Sequence, residues 1–352
     1  MPAPTIRRAV QLLPALATTG VGSLPLTQLE LGLQSALQLD LPALPQLPAG
    51  APSELMLPAA LEGLPGLRAD AEGLCTVELQ AWRAGRQAFE AQLEAALGSG
   101  RLEAFEPGPL ASRAWRPFLW EVEHRKLALA KAQLAGPFTV LGVARTSAGA
   151  PLKEEPGLEQ AVFRLLLARA LAMVKALRRA GTTPLFFLDE PGLYAFARAD
   201  ARQLLAVQEL RLMVASLQRE GALVGVHCCG NTDWGRVLET GVDLVSLDAR
   251  LSLEPLLQAR SALARFLDSG ATLSLGIIPT DLAAGYSVQE RVEAVEAQLR
   301  EGLPPGHSAA SVAQHMLLTP ACGLAMRSVP DAERILAELK QAQKLLRTAL
   351  VS

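Results

Sequence analysis

Short apolar runs alternate with long amphipathic stretches along the chain, most regularly in its second half. Pro184-Leu-Phe-Phe-Leu188 precedes a helical pattern over Asp200–Glu220, and Ala222-Leu-Val-Gly-Val226 precedes a short one over Thr232–Thr240. Val242–Leu247 leads to Leu253–Ser269, Ala271–Gly276 to Val288–Glu301, and His315–Thr319 to Asp331–Leu350. Short apolar runs separated by helical periods predict an α/β fold, with a parallel sheet covered by helices. The first half adds three strand candidates: Pro14–Thr19, Gly66–Asp70 and Phe138–Val143. Eight candidates match the number that closes a (β/α)8 TIM barrel. A single domain over 1–352 is therefore expected, with an open doubly wound sheet as the alternative. Residues 71–135 are too many for one connection and predict a helical insertion between strands 2 and 3, with helices around Val77–Leu97 and Ser112–Leu134. The Pro- and Leu-rich stretch Leu39–Gly66 reads as an ordered loop near the barrel mouth.

Charge narrows the function classes. Thirty-three basic and 35 acidic residues leave a formal net charge of -2 with no basic block, which argues against nucleic acid as a partner. The mean hydropathy of +0.24 raises the question of a membrane. However, apolar stretches such as Phe163–Val174 are interrupted by charge and fall short of the roughly 18 apolar residues a spanning helix needs. The opening Met-Pro-Ala-Pro-Thr-Ile-Arg-Arg has no convincing apolar signal core, so a soluble, cytoplasmic protein is expected. Cys75 stands alone, Cys228 and Cys229 are adjacent, and Cys322 lies far downstream. That distribution suits metal binding or reactive thiols better than a disulfide framework.

The chemically active side chains fall just after the expected strands. Ser23 follows the first, Asp189-Glu190-Pro191 the fourth and His227-Cys228-Cys229-Gly230-Asn231 the fifth. Asp248 follows the sixth, Pro279-Thr280-Asp281 the seventh and Cys322-Gly323 the eighth. In a barrel these positions meet at the C-terminal rim, where active sites lie. His227 and Cys229, two apart on a strand end, point the same way, and Cys322 offers a second thiolate. Imidazole plus soft thiolates favours Zn2+ and leaves a fourth position open; the alternative is a hydrogen-bonded core histidine beside small buried cysteines. Asp189 is expected to face the cavity as an anion suited to an ammonium group. Glu190 is a second substrate-binding candidate, with a helix cap as its alternative. Gly20-x-Gly22-Ser23 can turn backbone N–H groups toward a carboxylate, and it lacks dinucleotide-site spacing.

Val21-Gly-Ser-Leu-Pro25, Gly136-Pro-Phe-Thr139, Leu188-Asp-Glu-Pro191, His227-x-Cys229 and Pro320-Ala-Cys-Gly323 follow the order seen in the cobalamin-independent methionine synthase superfamily. The chain resembles the C-terminal catalytic barrel of that group over nearly its whole length. The superfamily also holds uroporphyrinogen decarboxylase and the zinc-dependent, corrinoid-linked thiol methyltransferases. The resemblance implies His227, Cys229 and Cys322 as zinc ligands, Gly22 and Ser23 on the carboxylate of an amino-acid thiol, and Asp189 on its ammonium. Asp248 falls where the methionine synthases carry a further glutamate ligand. Its shorter arm leaves direct ligation, a water bridge or a bond to His227 open. With Asp189 and Asp248 as the catalytic carboxylates, the implied reaction moves a methyl group from methyl-tetrahydrofolate or a methylcorrinoid protein to a thiol, homocysteine giving methionine. Trp115, Trp120 and Trp234 are candidates for stacking on a folate. The alternatives are a decarboxylase of the uroporphyrinogen type, a non-catalytic zinc or thiol binder, and a lyase acting on a C–S bond.

Overall fold

The computed structural model describes residues 12–196, 201–281 and 287–351; the opening stretch through Arg8 and the expected helix start at Asp200 lie outside them. The strands are β1 (Ala17–Thr18), β2 (Leu67–Ala69), β3 (Cys75–Val77), β4 (Leu129–Ala135), β5 (Arg145–Thr146), β6 (Thr183–Asp189), β7 (Leu223–Cys228), β8 (Leu244–Asp248), β9 (Thr272–Ile278) and β10 (Leu317–Pro320). Seven of them form one parallel sheet in the order β1-β10-β9-β8-β7-β6-β4. The sheet is curled, and both edges meet the extended segment 41–46. Leu41 N donates to Thr18 O at 3.0 Å, while Lys131 N donates to Pro42 O, and Leu44 N to Lys131 O, each at 2.8 Å.

Strand alternation sorts the side chains into two faces. Ala17, Leu41, Leu129, Leu185, Phe187, Leu223, Leu244 and Leu317 close an apolar floor inside the curl. The larger core fills the space between the outer face and the helices. Toward the C-terminal strand ends the inner face turns polar, with Lys131 and Gln133 on β4, Asp189 on β6, His227 on β7 and Ser246 on β8. The last helix, Val329–Leu350, is bound to the first strand: Gln343 Nε2 donates to Leu16 O at 2.8 Å and Arg347 Nε to Ala15 O at 2.9 Å. No described helix is long and apolar enough to cross a membrane.

The first half differs from expectation in three places. Gly66–Asp70 supplies β2, which lies in a separate three-stranded sheet with β3 and β5 rather than in the main one. Phe138–Val143 is the greater part of a helix, Pro137–Val143. Its β-branched and aromatic content suggests a strand, but Pro137 at the first turn and a buried carboxylate on its free N–H groups favour a helix start. The main-sheet strand is instead Leu129–Ala135, whose Ala, Lys and Gln favour a helix by propensity and were read as a helix end. Helices lie at Leu79–Ser99 and Trp115–His124; the second is shorter than the expected Ser112–Leu134, whose end is the strand just named. The expected helix Leu253–Ser269 is two, Ala249–Gln258 and Arg260–Asp268, divided at Ala259.

Candidate metal centre

His227 is the penultimate residue of β7 and Cys229 follows that strand; Cys322 lies just beyond β10. One donor atom from each of the three lies within 4.8 Å of the others. The register pairs His227 with Ser246 on β8, and Nδ1 is 2.9 Å from Ser246 Oγ. Nε2 is buried with no hydrogen-bond partner among the described residues. Both cysteines are half-buried and free. A hydrogen bond from the Cys322 thiol, and then His227, pull the Cys229 thiol well below its ordinary range. Donating that bond, together with burial, pushes Cys322 up. Two neighbouring thiols shifted in opposite directions offer a soft divalent cation its donors. Cys228 belongs to the outer core, its Sγ donates to Gly230 O at 3.4 Å, and burial pushes its thiol up to about 12.

The carboxylates divide by what their oxygens touch. Asp189, at the end of β6 and in register with His227, is buried, and its Oδ1 has no hydrogen-bond partner among the described residues. Burial raises it to about 6, against the pull of His227 and Lys131. Glu190 is 0% exposed and faces the other way. It accepts from Phe138 N at 3.0 Å and Thr139 N at 2.7 Å, so its expected part in binding substrate is corrected to capping the helix Pro137–Val143. Asp248 caps its own helix, accepting from Arg250 N at 2.8 Å, and is not among the clustered donors. The group bonded to His227 is Ser246, the residue two before it on the same strand face. Asp281, the other rim carboxylate, pairs with Arg250.

Gly22 and Ser23 lie beside Cys322. Gly22 has φ +153°, and a Cβ there would fall 2.3 Å from Gln133 Nε2, so this turn admits only glycine. Ser23 O accepts from Leu324 N at 2.8 Å. Beneath the turn stands Lys131, 3% exposed, donating to Val21 O at 2.7 Å and to Gln133 Oε1 at 3.2 Å. Burial pulls its ammonium down to about 8. Lys131, Gln133 and Ser246 escape the reading of the sequence. For the first two, the polar alternation that would reveal them belongs to a strand that reads as a helix. Ser246 is legible as a hydroxyl within the apolar run Val242–Leu247. Of the candidate stacking residues, Trp115 and Trp234 are core side chains, while Trp120 is exposed and stacks on His124.

No family model matches the chain, and no curated protein matches it in sequence. Solved structures do match in fold. One is D-psicose 3-epimerase in the presence of D-fructose, at 8% identity and a TM-score of 0.38, covering 68% of this chain and 84% of the other. A second is a xylose isomerase-like TIM barrel/4-hydroxyphenylpyruvate dioxygenase fusion protein, at 14% identity and a TM-score of 0.32, covering 66% and 40%. A third, from Coccidioides immitis and assigned as a fructose-1,6-biphosphate aldolase, matches at 11% identity and a TM-score of 0.28, covering 68% and 85%. At such scores neither a residue role nor a reaction passes from them to this chain.

Proposed function

We propose that the chain is a zinc-dependent S-methyltransferase acting on a small thiol, homocysteine being the one its polar groups suit best. The observation that carries this reading is the cluster of His227, Cys229 and Cys322, whose donor atoms lie within 4.8 Å of one another while the buried His227 Nε2 has no hydrogen-bond partner among the described residues. One imidazole and two thiols form a soft donor set that fits Zn2+ and leaves room for an exogenous ligand. When bound, zinc would keep a substrate thiol deprotonated and nucleophilic at neutral pH. Asp189, buried with an unpartnered oxygen, receives the substrate ammonium. The Gly22–Ser23 turn receives the carboxylate. Ser246 holds the His227 ring by Nδ1 and so presents Nε2 to the ion. In the transfer the S–CH3 bond forms as the donor's bond to the methyl group breaks and its electron pair stays on the donor; the thiol's proton ends on the folate nitrogen, or in solvent when the donor is a corrinoid.

The methyl donor is methyl-tetrahydrofolate or a methylcorrinoid protein, presented at the open rim. The segment 41–46, bonded to β1 and β4, supports a complete (β/α)8 barrel in which it takes the eighth place, with the residues between it and β4 as an excursion over it. Four free cysteines suit a reducing compartment, in keeping with a cytoplasmic enzyme.

Metal analysis of the purified protein and of Cys322→Ala tests the site: about one zinc per chain is expected in the first and little in the second. Incubation with homocysteine and each donor in turn, with methionine quantified, tests the reaction. Tight thiol binding without methylated product from either donor would replace the enzyme by a zinc-dependent thiol binder.

A further inference from the structure

We propose that Lys131 is a positioning residue of the metal centre, fixing the Gly20–Ser23 turn and, through that turn, the Cys322 thiol. The inference rests on reading His227, Cys229 and Cys322 as metal ligands. A lysine is seldom fully buried, because its ammonium must be taken out of water, yet Lys131 stands on the inner face of β4 at 3% exposure. Its surroundings are built for a cation. Nζ lies 4.9 Å from the centroid of the Phe187 ring. That ring lies across Gly225, where a Cβ would come within 2.4 Å of it, so the room beneath the ammonium depends on a glycine in the neighbouring strand. Asp189 faces the same ammonium from β6, between it and His227.

The bonds made by Nζ all lead to the turn. It donates to Val21 O at 2.7 Å and to Gln133 Oε1 at 3.2 Å. Gln133 in turn donates to Leu44 O at 2.9 Å and fills the space under Gly22. Above the turn, Ser23 O accepts from Leu324 N at 2.8 Å and Ser23 Oγ accepts from Ala325 N at 3.4 Å. Gly323 packs so closely on Ser23 that a Cβ there would lie 2.2 Å from Oγ. Cys322 precedes that glycine. A continuous set of hydrogen bonds and close contacts therefore runs from Lys131 through one four-residue turn to the backbone immediately after Cys322, the donor furthest in sequence from the other two. A methionine could fill the volume without the desolvation cost of an ammonium, so the retained charge is explained by the bonds it makes.

Cobalt(II) added to the full-length, metal-free chain is the probe, because thiolate-to-cobalt charge-transfer absorption counts bound sulfurs without any turnover. Lys131→Met is expected to bind cobalt tenfold or more weakly, the usual scale for loss of a supporting group around a metal site. Its charge-transfer intensity should also fall toward that of Cys322→Ala. Should Lys131→Met fail to fold, Lys131→Gln, which keeps an N–H donor and loses the charge, is expected to show the same two changes. A folded variant with lower thermal stability but unaltered cobalt affinity and spectrum makes Lys131 a strut of the fold and overturns the inference alone. Wild-type protein without thiolate–cobalt bands overturns the metal reading itself, and this inference with it.

Discussion

Four cysteines with one intrinsic chemistry occupy four electrostatic settings, and their reactivity follows the setting. Burial pushes Cys75 and Cys228 up to about 12, so neither presents thiolate near neutrality. Cys229, pulled down by the Cys322 thiol and by His227, is the one already ionised. Brief treatment of the metal-free protein with iodoacetamide at neutral pH should therefore alkylate Cys229 first and leave Cys75 and Cys228 untouched until the chain is unfolded, as peptide mass spectrometry would show. Early labelling of Cys228 would mean that the outer core around it is open. At this scale the sequence was readable where two residues share a strand face: the H-x-C spacing brings His227 and Cys229 together whatever surrounds them. It was not readable where the outcome hangs on side-chain direction. Glu190 and Asp248 both follow strands and precede helices, and the same pattern serves a site carboxylate or a cap. Only the fold shows that both turn to backbone N–H groups.

Individual elements were misread where local preference and tertiary pairing disagree. The stretch Leu129-Ala-Lys-Ala-Gln-Leu-Ala135 carries good helix formers, yet β6 on one side and the segment 41–46 on the other satisfy its backbone as a strand. That segment reads as a loop because it lies in the Pro- and Leu-rich stretch Leu39–Gly66. Pro42 needs no donor here, since its carbonyl accepts from Lys131 N. Among the helices, Ala201–Arg219 carries a testable liability. Burial, with repulsion from Glu159 added, raises Glu209 from 4.5 to about 7. The native chain then holds a proton there that the unfolded chain has lost, so stability falls as pH rises from 4.5 to about 7 and stays lowered above. Glu209→Gln should be more stable than wild type above that range, by about 1 kcal/mol for this half-buried position. Below pH 4.5 the two should be indistinguishable. Urea melts at both ends of the range check this; an equal gain at both would assign it to something other than ionisation.

For the molecule as a whole, the alternation of apolar runs and helical periods was enough to give the α/β class and the parallel sheet, because each strand of the second half is covered on both faces and bounded by a turn. The count of eight strand candidates points to a curled sheet, but not to segment 41–46 as the one that bonds both of its edges. If the three donors grip an ion, the native state gains stability that the unfolded chain does not share. Free zinc at a thousand times its dissociation constant would add about 4 kcal/mol. Thermal melts with zinc and with chelator should therefore separate for wild type and coincide for His227→Ala, whose remaining two sulfurs come from different strand ends. Coincident curves for wild type would mean that the folded chain holds no such ion.

The last helix reaches back to Ala15 and Leu16, and Cys322 stands just before that helix begins. During synthesis on the ribosome, His227 and Cys229 emerge long before their third companion. The bonds from the last helix to the residues before the first strand arrive only with Gln343 and Arg347. A nascent polypeptide therefore lacks one of the three clustered donors, and the bonds that hold Ala15 and Leu16, until Cys322, Gln343 and Arg347 have been added.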